Sequence, residues 1–62
     1  MDAAAILDIY DEAYDEATSR GIDGEMAYKE AITAASMMLA AMEGVEDEKA
    51  RALVIEMVAE AN

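Results

Sequence analysis

Apolar residues recur at three- and four-residue intervals in three separate segments, and glycine stands in both breaks between them. In the first segment Ile6, Leu7, Tyr10, Ala13, Tyr14 and Ala17 fall on one side of a helical wheel. Asp8, Asp11, Glu12, Asp15 and Glu16 fall within an arc of roughly 140° on the other, with Ile9 at the border. The pattern predicts an amphipathic helix near residues 2–20. Asp2 is suited to cap its N-terminus, and Arg20 complements the dipole at its C-terminus. Gly21 fits the left-handed residue beyond the end, which would fold Ile22 back onto Ala17.

The second segment contains the most apolar stretch of the chain, AITAASMMLAAM from Ala31 to Met42, interrupted only by Thr33 and Ser36. It predicts a helix near residues 23–43, capped by Asp23 and closed by Gly44, with Val45 returning to touch Leu39 or Ala40. Gly24 weakens its first turn slightly. Tyr28, Ala31, Ile32, Ala35, Met38, Leu39 and Met42 form one apolar stripe, and Met26, Ala27, Ala34, Met37 and Ala41 a second beside it. Together they cover roughly 200° of the circumference, against ~100° for an ordinary surface helix. Two stripes call for two neighbours, and leave some apolar surface for another chain. Met38 and Met42 are expected in the core, where methionine fills irregular space. Met26, Ala34, Met37 and Ala41 are the candidates for an apolar interface. Glu25, Lys29, Thr33, Ser36 and Glu43 form a thin polar strip, with Ser36 a small hydroxyl on it.

The third segment predicts a helix near residues 46–61. Glu46, Asp47 and Glu48 open it, at the end where the macrodipole favours negative charge. Ala50, Val54, Met57, Val58 and Ala61 give its buried stripe, flanked by Leu53 and Ile55, and Lys49, Glu56 and Glu60 its wet side. Both breaks are short enough to make successive helices antiparallel neighbours. The expected fold is all-α: a small antiparallel, up-down-up three-helix bundle forming one domain over residues 1–62.

Composition sharpens this picture in two ways. A chain of 62 residues hides only about 60% of the surface its unfolded form exposes, and here no cysteine or histidine reinforces the core through a disulfide or zinc. Helix packing must suffice, or another chain completes it. The second point is charge: fifteen Asp and Glu against four Lys and Arg, a net −11. Direct binding to nucleic acid is excluded, because that affinity rests on neutralising phosphates with Lys and Arg. An anionic membrane surface is excluded for the same reason. The twelve-residue apolar run is shorter than the ~18 residues of a spanning helix, and no signal-peptide pattern precedes it. The expectation is a protein of the cytoplasm of the producing or host cell.

Chemical motifs are lacking. Without His or Cys the commonest acid–base and nucleophilic groups are missing, and the hydroxyls of Thr18, Ser19, Thr33 and Ser36 have no base in the pattern. The acids between Asp15 and Glu25 do not follow the spacing of a calcium loop. No enzyme activity, cofactor or metal site is expected.

The acidic face of the first helix is therefore the main candidate for function. Asp8 to Glu16 span about 12 Å at 1.5 Å per residue, so five carboxylates give one charge per roughly 2.4 Å. That lies between the about 3.4 Å spacing of one DNA strand and the about 1.7 Å of the duplex. Such a face presents to a protein the field that a phosphate backbone presents. In size, charge and helicity the chain resembles the DNA-mimic inhibitors encoded by phages and mobile elements, including anti-restriction and anti-CRISPR proteins. The resemblance implies a basic nucleic-acid-binding protein or nucleoprotein complex as partner and competitive inhibition as mechanism. Asp8, Asp11, Glu12, Asp15 and Glu16, with Glu46, Asp47 and Glu48, are the expected contacts. The alternative is a structural or regulatory subunit, forming a homodimer or larger helical assembly through its apolar central helix.

Overall fold

A computed structural model describes residues 2–61. They form three helices: α1 over Ala3–Ser19, α2 over Gly24–Glu43 and α3 over Asp47–Ala61, with no strand among the described residues. Every helix end lies within a residue of its expected place once the caps are counted. The helices pack as a three-helix bundle about 33 × 20 × 15 Å.

Local chemistry fixes the ends. The Asp2 carboxylate accepts from the Ala5 amide at 3.3 Å, and that of Asp23 from the Met26 amide at 3.0 Å. Each satisfies an amide that a helix start otherwise leaves unpaired. At the end of α1, Gly21 takes φ 86°; its amide donates to Thr18 O at 3.0 Å and the Ile22 amide to Ala17 O at 3.1 Å. This pair of bonds is the Schellman closure, and it brings Ile22 back over the last turn as expected. α2 ends with a single bond, from the Gly44 amide to Ala40 O at 2.8 Å, with Gly44 at φ 67°. Val45 then turns inward and packs, half-buried, against the core.

No atom lies within 4 Å of where a Gly44 Cβ would stand, so Gly44→Ala meets backbone strain and no clash. A left-handed backbone costs a non-glycine residue about 1–2 kcal/mol. The variant should lose about 1 kcal/mol in a denaturant titration; unchanged stability would show that the chain reverses without this conformation.

One core holds the three helices together: Ile6 from α1, Ile32, Ala35 and Leu39 from α2, and Ala50, Val54 and Val58 from α3. Ala17, Ala27 and Ala31 are also fully buried, and their small side chains let α1 and α2 approach closely. Contact is most extensive between α1 and α2, and least between α1 and α3. Tyr10 bridges the two helices of that hairpin, its ring stacked 6.1 Å from Tyr14 and edge-on 6.2 Å from Tyr28. Burial, then the neighbouring Tyr28, Tyr14 and Asp11, pushes the Tyr10 hydroxyl above its ordinary 10.0.

Expected burial is corrected at five residues. Met38 and Met42, expected in the core, are 43% and 49% exposed. They lie in the last two turns of α2, which in the antiparallel hairpin run toward the start of α1, where Ala3, Ala4 and Ala5 are small. Ser36, expected on the polar strip, is buried and donates to Ile32 O at 2.6 Å. Its hydroxyl is satisfied by its own helix, so it packs as a small residue where α3 crosses. Ala61 and Ile55 on α3 are exposed, because the buried stripe is the narrower set Ala50, Val54 and Val58.

Candidate functional site

α1 presents its acids as the pattern requires. Asp8, Asp11, Glu12, Asp15 and Glu16 are all exposed, on the side away from Ile6 and Ala17, which face the core. Among the described residues no cation pairs with any of the five. Three of the four basic side chains are engaged elsewhere. Arg20 pairs with Glu30 at 3.3 Å, Lys29 approaches Glu25 at 3.9 Å, and Arg51 donates to Thr33 Oγ1 at 3.3 Å. The face therefore keeps its whole negative field toward solvent.

Glu46, Asp47 and Glu48 are exposed as well, but they form a separate patch. Asp47 and Glu48 line a groove of about 220 Å³ between α2 and α3, together with Thr33, Ser36, Met37 and Arg51. The Arg51 guanidinium stands among these acids and weakens their field. A second groove, about 180 Å³, lies between α1 and α3 and is lined by Leu7, Tyr10, Asp11, Val58 and Ala61. Among the described residues no three carboxylates converge closely enough to hold a metal ion, since the acids of α1 point outward side by side. Among the same residues no helix is long and apolar enough to cross a membrane.

The candidate apolar interface is also at the surface. Met26 is 49% and Met37 67% exposed, Ala41 is exposed, and Ala34 is half-buried. α3 packs on the Ile32, Ser36 and Leu39 side of α2 and reaches this stripe at Met37, which lines the groove with Asp47, Glu48 and Arg51. Met38 and Met42 join it. Residues 34, 37, 38, 41 and 42 now follow the i, i+3, i+4, i+7, i+8 spacing of one continuous helix face. Sequence reasoning missed the last two members; the run of alanines at the start of α1, facing the end of α2, was the available signal.

Comparison with models of known protein families, with curated proteins and with solved structures finds no match.

Proposed function

We propose that this chain is a small acidic interaction protein that occupies the basic, nucleic-acid-binding surface of another protein or nucleoprotein complex and inhibits it by competition. It acts by binding, in the manner of a DNA mimic, without a catalytic step. The observation that carries the reading is the outer face of α1, where five exposed carboxylates follow one another with no cation among them. Repeated charge at phosphate-like spacing on a rigid helix suits a groove built for a nucleic-acid backbone.

The test has two stages. The protein is immobilised, a cell extract is passed over it, and the captured partner is eluted in a salt gradient and identified. The purified partner is then offered DNA or RNA in competition with the free chain. The expected result is mutual exclusion, with affinity falling steeply as salt rises. A ternary complex with nucleic acid still bound would defeat the proposal.

A second reading, a structural or regulatory subunit assembling through its central helix, draws on the exposed methionines of α2. An association of that kind persists in salt, so the same gradient separates the two.

A further inference from the structure

The α1–α2 hairpin has two sides, and α3 covers one. The other is open over the C-terminal half of α2. On α2 it carries Ala34, Met37, Met38, Ala41 and Met42, with the methionines 43–67% exposed. On α1 it is continued by Ala5 and Ile9, four residues apart, both half-buried, and on the opposite flank from Leu7, Tyr10 and Asp11, which border α3. Two antiparallel helices with an apolar seam between them form the seat that a further helix fills in a four-helix bundle.

Charge decides which helix. A standard interface takes about 800 Å² from each partner, about a fifth of the 4054 Å² this chain exposes. An occupant of that size must reach past the methionines onto the flanks of the seat. Those flanks carry Glu12 and Glu16 on α1, and beside Met37 the acids Asp47 and Glu48, offset in part by Arg51. A second copy of this chain would bring the same carboxylates against them, and a further net −11. A helix with an apolar stripe between basic flanks matches both features. Methionine, flexible and polarizable, accommodates such a stripe without demanding one sequence.

We infer that the open side of the α1–α2 hairpin, centred on Met37, Met38 and Met42, is a docking site for a basic amphipathic α-helix of a protein partner. The apolar stripe of that helix lies on the methionines and its Lys or Arg residues reach the flanking acids. The site is centred on the exposed methionines and shares only its Glu12 and Glu16 flank with the acidic face of α1, so a readout at the methionines separates it from the proposed function.

The probe is a synthetic helical peptide of about 18 residues, about 27 Å long, with leucine on one face and lysine on the other. A serine/lysine peptide of equal charge serves as control. Methionine methyl groups labelled with carbon-13 report where each binds. The leucine/lysine peptide should shift Met37, Met38 and Met42 while Met57 stays in place, and should retain binding at a salt concentration that releases the control. Met37→Gln with Met38→Gln, at exposed positions that leave the fold intact by circular dichroism, should weaken it at least tenfold. Reversal of Asp8, Glu12 and Asp15 to Lys should slow its association yet leave the methyl shifts at saturation, so failure here and failure of mimicry show separately. Two results overturn the inference. One is binding of both peptides alike with silent methyl groups, which is charge attraction alone. The other is a free chain that sediments as a dimer with these methyl groups protected, which gives the seat to a second copy.

Discussion

Leu39→Asp should abolish the cooperative thermal melt of the bundle. Leu39 is fully buried, in one cluster with Ile6 of α1, Ile32 and Ala35 of α2, and Ala50, Val54 and Val58 of α3. That cluster draws on all three helices. An aspartate there finds no partner: Ser36, the nearest buried hydroxyl in the helix, already gives its proton to Ile32 O. Burying an unpaired carboxylate, or protonating it to avoid the charge, costs several kcal/mol. A bundle of this size, without disulfide or metal, has about 5 kcal/mol or less to lose. Met37→Asp gives the control. It makes the same change of charge two residues earlier, at a side chain 67% exposed, and should melt within a few degrees of the parent. A cooperative transition for Leu39→Asp near the parent temperature would place Leu39 outside the core.

The periodicity of the chain carries most of this architecture because it encodes angle. Ile6 and Ala17, Ile32 and Leu39, Val54 and Val58 repeat at helical spacing, and all six are buried as the spacing demands. The helix ends were legible for a different reason. Asp2, Asp23, Gly21 and Gly44 each solve a problem of unpaired backbone groups or positive φ that few other residues solve.

Height along the bundle was not encoded in the same way. Met38 and Met42 have the right angle for the core, but they lie in the last turns of α2, which run toward the small alanines that begin α1, where there is little to bury them. Nor does the pattern say on which side of a helical hairpin the third helix lies. Hydropathy favours the Ala34, Met37, Ala41 stripe of α2 over the flank holding Thr33 and Ser36. α3 takes the latter, because Ser36 is as small as an alanine with its hydroxyl satisfied, and Arg51 of α3 finds Thr33 Oγ1 at the rim. That choice of side leaves the candidate interface stripe at the surface. The acidic face of α1 was legible for the opposite reason: charges at helical spacing have only solvent to face. Which partner they meet is a property of two surfaces, and only one of them is written in this chain.

Reversing that face should separate folding from recognition. Asp8→Lys, Glu12→Lys and Asp15→Lys together change one exposed strip by six charge units, taking the chain from −11 to −5. None of the three side chains is buried, and among the described residues no ion pair joins them to the rest of the bundle. Exposed substitutions of this kind cost about 0.5 kcal/mol or less each, and relief of repulsion among neighbouring carboxylates offsets part of that. The variant should therefore melt cooperatively, close to the parent. Its complex with a basic partner should nevertheless be lost. Long-range attraction sets the encounter rate between oppositely charged surfaces, and a strip turned from negative to positive repels the groove it once entered. The loss should appear mainly as slower association in a kinetic binding assay, and should shrink as salt screens both proteins. Competition with DNA or RNA should disappear with it. A folded triple variant that still associates at the parent rate, with the parent salt dependence, would remove α1 from the interface. The methionine face of α2 would then be the surface that recognises the partner.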